Sequence, residues 1–150
     1  MNTLRLELPL PPSVNNQYAT VGNRRVLSRE ARGFRRSVAS IVRDGFSQGR
    51  VSQGWIEAAK GRPLACDIIF FFTTPYRRDL DGGLKIALDA LLEALDLDDR
   101  YVVSITLTKQ IDPLKPRSEI ELAAIDAWEF DETYVLLDSD GDDDDQDARP

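Results

Sequence analysis

Histidine is absent from this 150-residue sequence, and cysteine occurs only once, as Cys66. Without histidine the chain cannot form a Ser-His-Asp or Cys-His triad, an imidazole general base, or a zinc site that needs a histidine ligand. A single cysteine also excludes an internal disulfide. Any bound metal must therefore be held by oxygen atoms, which favours Mg²⁺, with Mn²⁺ as the alternative.

Long apolar segments are lacking as well. The longest uninterrupted one runs from Ile68 to Phe72, far shorter than a membrane-spanning helix needs. The opening MNTLRLELPLPP alternates polar and apolar residues and has no apolar signal-peptide core. We therefore expect a cytoplasmic protein with no membrane partner.

The net charge of −7 hides an uneven distribution. Residues 138–150 carry seven Asp and one Arg, whereas residues 1–125 hold 18 basic and 15 acidic residues. Within residues 1–50, nine Arg stand against three acids. This predicts a mildly basic body with a basic N-terminal third, followed by a disordered, low-complexity acidic tail.

Apolar periodicity indicates strands and helices in alternation. Some segments alternate polar and apolar residues as half-buried strands do, and two others repeat apolar residues at helical spacing. The pattern predicts an α/β (α+β) two-layer sandwich, in which a mixed β-sheet has two main helices on one face. The expected strands are 3–10, 64–73, 101–109 and 118–125, and the expected helices are 28–46 and 82–96. A loop or weak extra turn is expected at 47–62. These elements form one domain of residues 1–137, followed by the tail at 138–150.

The stretch YRRDLDGGLKIALDALLEALDLDDRYV concentrates groups that could carry chemistry. Asp79 and Asp81 follow the predicted buried strand, where α/β folds place their sites, and two carboxylates this close repel unless a cation relieves them. Mg²⁺ typically takes one or two carboxylates and keeps other positions for water and phosphate oxygens. Lys85 could hold a phosphate oxygen, and Arg77 and Arg78 could attract a phosphodiester.

Each of these features also has a purely structural interpretation. A D-x-D pair can cap a helix, and Lys85 with Asp89 can form a surface ion pair. Asp98 and Asp99 can be a turn that ends the helix, and the arginine pair can be a solvated loop. The occurrence of all four features in this order within 23 residues favours the functional interpretation.

The opening MNTLRLELPLPPSVNNQY, the segment RRDLDGGLKIALDAL and the later LDDRYV together resemble the RusA family of Holliday junction resolvases. The resemblance runs from residue 2 to about residue 126. It implies a homodimer in a bacterial or phage-infected cell that binds four-way DNA junctions and nicks two strands symmetrically with Mg²⁺. It places the family's catalytic and metal-binding aspartates at Asp79, Asp81 and Asp99, and its catalytic lysine at Lys85.

The sequence departs from the family at two places. Gly82 stands where the family usually has asparagine, so a side-chain amide that could cap the helix or touch a metal ligand is missing. The acidic tail is also foreign to the family pattern. Its aspartates could imitate phosphates and compete for the chain's own basic groove, or recruit a basic partner.

Two further groups are candidate nucleic-acid contacts. Asn15 and Asn16 match the family, and their amides could bond phosphates or bases, although Pro and Asn also build ordinary turns. The first helix carries a stripe of arginines, opposite its apolar face and free of acids, that favours phosphate contacts over a solvated surface. This stripe consists of Arg29, Arg32, Arg36 and Arg43.

The length of the second predicted helix bears on the metal site. About 15 helical residues would separate Asp81 from Asp99 by roughly 20 Å, too far to share one ion. Either the helix stops early and the following segment folds back, or Asp99 serves the active site of a partner subunit. Four further apolar residues extend the leucine face, and the small alanines among them suggest a close antiparallel helix pair between subunits. These residues are Ile86, Ala87, Ala90 and Ala94.

These observations predict a Mg²⁺-dependent, structure-selective endodeoxyribonuclease that resolves Holliday junctions or other branched DNA. Two alternatives remain open. The missing asparagine at Gly82 allows a DNA-junction binding protein with weakened catalysis. A metal-dependent nucleotide phosphohydrolase would need neither the arginine stripe nor a dimer.

Overall fold

A computed structural model describes residues 3–126 of the chain. The expected tail at 138–150 therefore lies outside the described residues. Residues 3–126 form six strands and three α-helices, with short 3₁₀ turns at Val14–Asn16 and Asp99–Tyr101. In chain order the elements are β1 (Thr3–Leu8), β2 (Tyr18–Val21), β3 (Arg24–Leu27), α1 (Arg29–Ser47), α2 (Gln53–Ala59), β4 (Leu64–Phe72), α3 (Leu84–Leu95), β5 (Val102–Ile111) and β6 (Arg117–Ala124).

The main sheet has four strands in the order β1-β6-β4-β5. β4 and β5 are parallel, whereas β6 is antiparallel to both β1 and β4. The sheet is therefore mixed, which confirms the α+β architecture predicted from the sequence. β2 and β3 form a separate antiparallel hairpin that the sequence pattern did not predict.

One face of the sheet carries the hydrophobic core. Alternate residues of β4, from Leu64 through Ile68 to Phe70, are buried under the helices together with the leucines of β1. The core also contains Cys66, and burial, aided by the charge of Asp67, raises the pKa of its thiol to about 12. The thiol therefore stays protonated at neutral pH, which excludes it as a nucleophile.

The first long helix has the boundaries and buried face that the sequence predicts. The Ser28 hydroxyl accepts a hydrogen bond from the Ala31 N–H at 3.1 Å and caps the helix. Phe34, Val38 and Val42 point into the core because they recur at helical spacing. The arginines on the opposite side are consequently left at the surface.

The second long helix is shorter than predicted. It starts at Leu84 and ends at Leu95, where Asp96 takes a left-handed conformation with φ of 56°. The Leu97 N–H then reaches back to the Leu92 carbonyl at 2.9 Å, which is the pattern of a Schellman cap. This cap ends the helix and turns the chain towards β5.

No helix within residues 3–126 is long and apolar enough to cross a membrane.

Candidate active site at the carboxyl edge of the sheet

Three loops meet at one edge of the main sheet. β1, β4 and β5 all run in the same direction, as their pairings with β6 and with each other require. The loops that follow them, residues 9–17, 73–83 and 112–116, therefore lie at a common carboxyl edge. Open α/β sheets bind ligands at this edge.

A cleft of about 630 Å³ opens between the first two of these loops. It brings together five residues that the sequence analysis selected separately, on the PPSVNN segment and on the acidic loop. Its lining includes Asn15, Asn16, Arg77, Arg78 and Asp79.

The acidic loop is shaped by its own backbone and by one neighbouring cation. The Gly82 N–H donates to the Asp79 carbonyl at 3.2 Å, and the Leu84 N–H donates to the Asp81 carbonyl at 3.1 Å. The Lys109 ammonium on β5 donates to the Arg78 carbonyl at 2.5 Å. These contacts fix the backbone on both sides of Asp79.

The two arginines before the acids differ in their surroundings. The Arg78 guanidinium lies 4.6 Å from the centre of the Phe72 ring and donates to the Thr74 hydroxyl at 2.8 Å. It is partly engaged in holding the loop. Arg77 is exposed, and within residues 3–126 it has no hydrogen-bond or ion-pair partner. Arg77 is therefore the freer of the two to meet a phosphate.

A buried glutamine that the sequence analysis missed connects the two sides of the cleft. Gln17 is 6% exposed, and its amide nitrogen donates to the Gly82 carbonyl at 2.8 Å and to the Pro12 carbonyl at 3.0 Å. A glutamine next to a turn gives no sequence signal of burial, so only the tertiary contact reveals it. The PPSVNNQ segment and the acidic loop are thereby held as one unit.

The two glycines of the acidic loop have different structural demands. A Cβ at Gly83 would come within 2.3 Å of the Pro11 ring, so this position requires glycine unless the loop shifts. A Cβ at Gly82 would lie 3.4 Å from the Asp79 carbonyl oxygen, which is ordinary contact. The space therefore accommodates the asparagine that the family usually has there.

The carboxylates of Asp79 and Asp81 have no cationic partner within residues 3–126. Both side chains are exposed, and Asp79 also lines the cleft. Asp79 and Asp81 are separated by one residue, and their carboxylates are not neutralised by a cation of the described residues. Carboxylate oxygens are the ligands that a hard divalent cation prefers in proteins.

Asp99 lies beyond the opposite end of α3, in the 3₁₀ turn that precedes β5. Across the described residues, no group of three His, Cys, Asp or Glu side chains is arranged to hold one metal ion. The three aspartates selected from the sequence are thus not assembled into a single cluster within this chain. The helix between Asp81 and Asp99 ends earlier than predicted, at Leu95, and the service of Asp99 to a partner subunit stays a prediction.

Lys85 occupies the first turn of α3 and forms the surface ion pair with Asp89 that its spacing allows, at 3.1 Å. The hydrogen bond and charge of Asp89 raise the pKa of Lys85, and the charge of Asp99 adds a smaller amount. The ammonium therefore stays protonated and lies within electrostatic range of Asp99.

The arginine stripe of α1 is exposed, as predicted, and none of its members has a carboxylate partner within residues 3–126. The neighbouring Arg35 does pair, with Glu93 of α3. Sequence spacing alone therefore separated the unpaired stripe from the arginine that joins the two helices.

Comparison with known proteins agrees with this geometry. The family model described as Endodeoxyribonuclease RusA matches residues 9–123. Crossover junction endodeoxyribonuclease RusA of Escherichia coli (strain K12) is 32% identical over 123 residues, covering 81% of this chain and 93% of that protein. The Enterobacteria phage 82 protein of the same name is 31% identical with the same coverage. The chain belongs to the RusA family.

Membership in the RusA family covers the whole candidate site. The matched residues include both sides of the cleft, all three aspartates and Lys85, so the resemblance inferred from the sequence motifs is confirmed. The acidic tail lies beyond the match. The roles of individual residues, the metal and the oligomeric state are not addressed by these comparisons and remain predictions.

Proposed function

We propose that this RusA-family chain is a Mg²⁺-dependent, structure-selective endodeoxyribonuclease that nicks four-way junctions or other branched DNA. The observation that carries the proposal is the Asp79–Asp81 pair, which stands without a cationic partner beside an unpaired Arg77 at the carboxyl edge of the sheet. The names of the relatives, crossover junction endodeoxyribonucleases, support the choice of substrate.

In this proposal, Asp79 and Asp81 hold Mg²⁺, or Mn²⁺ in its place. A bound divalent ion would lower the pKa of a coordinated water and offset the charge that develops on the phosphate. Lys85 stays protonated and offers its ammonium to a phosphate oxygen. The DNA backbone is positioned in the cleft by Arg77, Asn15 and Asn16. Arg78, which lies over the Phe72 ring, adds a further positive charge there.

The position of Asp99 favours a homodimer with shared sites. The helix α3, whose 12 residues span about 18 Å, lies between the acidic loop and Asp99 in the chain. The charge of Asp99 acts on Lys85, but within residues 3–126 its carboxylate does not join Asp79 and Asp81 in one cluster. We infer that Asp99 of a second copy completes the metal site. Dimerisation would then be a condition for cutting, as suits a substrate with two-fold symmetry.

The helix pair expected from the sequence is not the route to this dimer. Ile86, Ala87 and Ala90 are all buried within the chain, where α3 packs against α1, so they are not free to meet a second helix. The edge strand β5, which directly follows Asp99, exposes Ile105 and Ile111 at 41% and 45%. We place the contact between copies at this strand, whose outer edge is unpaired in the main sheet.

Cleavage of defined substrates tests the proposal directly. The wild-type chain should nick a synthetic four-way DNA junction in the presence of Mg²⁺, cut linear duplex much more slowly, and leave free nucleotides intact. Junction binding without nicking in Mg²⁺ or Mn²⁺ would favour the catalytically weakened binding protein. Hydrolysis of nucleotides with no action on junctions would favour the phosphohydrolase.

Mixing two inactive variants tests the shared site. Asp81→Asn and Asp99→Asn subunits should each be inactive alone, but a mixed dimer would contain one site with both acids intact and one with neither. Nicking of one strand should therefore reappear in the mixture. An inactive mixture in which heterodimers are demonstrably present would assign both acids to one chain.

A further inference from the structure

The β2–β3 hairpin, residues 18–27, stands apart from the main sheet. The two strands pair only with each other, from Tyr18 opposite Leu27 to Val21 opposite Arg24. The turn between them has Gly22 at φ of 61°, a conformation that glycine adopts without strain. Every residue of β2 is exposed, and Val26 and Leu27 are only partly buried. An isolated two-stranded hairpin is marginally stable in water, so its attachment to the protein matters.

The base of the hairpin is firmly attached to the acidic loop and to α1. Gln17 precedes β2 and donates to the Gly82 carbonyl at 2.8 Å. Ser28 follows β3, donates its N–H to the Gln17 carbonyl at 2.9 Å, donates its hydroxyl to the Asn16 carbonyl at 2.5 Å, and caps α1. Four residues per strand at about 3.3 Å each place the tip roughly 13 Å from this base. The hairpin is therefore a projecting arm held in a fixed relation to the cleft.

The charge of the arm has one sign. No acidic residue occurs between Asn15 and Arg29, whereas Arg24 and Arg25 lie together at the start of β3. The Arg25 guanidinium stacks 4.5 Å from the centre of the Tyr18 ring, which orients its donors without neutralising them. Within residues 3–126, neither arginine has a carboxylate partner.

The base of the arm also lies beside the proposed catalytic lysine. Tyr18 is 42% exposed and lies near the Lys85 ammonium. A DNA strand whose phosphate reaches Lys85 would therefore pass the foot of the hairpin. The arm would then lie against the DNA backbone next to the cleft.

We propose that the β2–β3 hairpin is a second DNA-binding element, in which Arg24 and Arg25 bind backbone phosphates of the strand flanking the cleft. The proposal rests on the function proposed above, since it assigns this arm to the same substrate. A two-stranded ribbon can follow a DNA groove, and paired arginines match phosphate geometry.

The test compares charge-removing and charge-keeping variants in junction binding without a divalent metal. Arg24→Ala with Arg25→Ala should weaken binding to a synthetic four-way junction by roughly tenfold at low salt. The slope of log affinity against log salt should fall by about two, because each lost phosphate contact removes about 0.9. Arg24→Lys with Arg25→Lys should keep most of the slope.

A matched control uses two arginines far from the cleft that have acidic partners. Arg5 pairs with Glu121 on the other face of the sheet, and Arg62 pairs with Asp126 near the start of β4. Arg5→Ala with Arg62→Ala removes the same charge but should change binding less than twofold. An equal loss in the control pair, or a wild-type slope in the hairpin pair, would overturn the proposal. Binding is measured without Mg²⁺ and nicking is measured with it. A wild-type chain that binds the junction but does not nick it in Mg²⁺ would therefore count against the proposed catalysis alone.

Discussion

Charged residues are arranged in opposite ways on the outer face of the sheet and around the cleft. On the outer face, Arg5 pairs with Glu121 at 2.6 Å and Lys115 pairs with Glu7 at 2.9 Å. Arg117 joins Asp112 at 2.8 Å and also contacts Glu119 at 3.0 Å, while lying over the Phe71 ring. Each of these cations has a protein anion beside it.

Around the cleft, by contrast, several charged side chains have no partner of opposite charge within residues 3–126, although Lys85 pairs with Asp89. Asp79 and Asp81 have no cation, and a set of arginines has no carboxylate. In the cleft these are Arg77 and Arg78, and elsewhere within residues 3–126 they are Arg24, Arg25, Arg29, Arg32, Arg36, Arg43 and Arg50. Exposed ion pairs contribute little to stability, so their absence here carries no large penalty. The difference indicates that charge on the outer face supports the fold, and that charge around the cleft is available to a metal and a polyanion.

The sharpest contrast is between an unpaired and a paired aspartate. Asp81→Asn should lower junction nicking by about two orders of magnitude or more while leaving binding near wild type, because a neutral amide is a poor ligand for Mg²⁺. Asp112→Asn removes a carboxylate that already pairs with Arg117, and it should leave nicking unchanged. Single-turnover nicking assays give the comparison. Wild-type nicking by Asp81→Asn would refute the assignment of this residue.

A second contrast is between unpaired and paired arginines. Arg32→Ala with Arg36→Ala should weaken junction binding by roughly tenfold and lower the salt slope by about two, because phosphate contacts release counterions. Arg5→Ala should have little effect, since Glu121 already neutralises that side chain. Binding titrations over a range of salt concentrations measure both. An unchanged slope of log affinity against log salt in the double variant would indicate that the stripe is only a solvated surface.

The acidic tail could supply the unpaired arginines with carboxylates and so reduce the difference between the two surfaces. Residues 138–150 lie outside the described residues, and their seven aspartates could compete with DNA for the unpaired arginines. Deleting them should then tighten junction binding by a few fold at low salt, with less effect as salt is raised. Equal affinity of the full and shortened chains for the junction would show that the tail does not compete with DNA.

The smallest expected effect concerns the stability of the paired surface in acid. The hydrogen bond from Arg117 holds the pKa of Asp112 below its usual range, and Arg100 does the same for Asp98. A carboxyl with a lowered folded-state pKa stabilises the protein above its unfolded pKa of about 4, and this contribution disappears as the pH falls through the folded value. The Tm difference between wild type and Asp112→Asn should therefore shrink between pH 6 and pH 3. A difference that stays constant over this range would contradict the pairing.

Much of the fold could be predicted because periodicity is a local property. Alternating residues in β1 and helical spacing in α1 report which side of each element is buried, whatever it packs against. The acidic loop was equally visible, since Asp79, Asp81 and Lys85 are close along the chain. The hairpin was missed because its residues are mostly exposed and so carry no alternation to detect.

The sequence by itself determined the strands and long helices of the main domain, the oxygen-only choice of metal ligands, the acidic loop and the stripe of arginines. Only the tertiary structure decided that Gln17 is buried against Gly82, that Ile86, Ala87 and Ala90 are covered within the chain, and that the outer-face cations are paired. These facts depend on strand register and on loops meeting across long stretches of sequence. Arg5 and Glu121, for example, become neighbours only when β1 aligns with β6, 116 residues later in the chain.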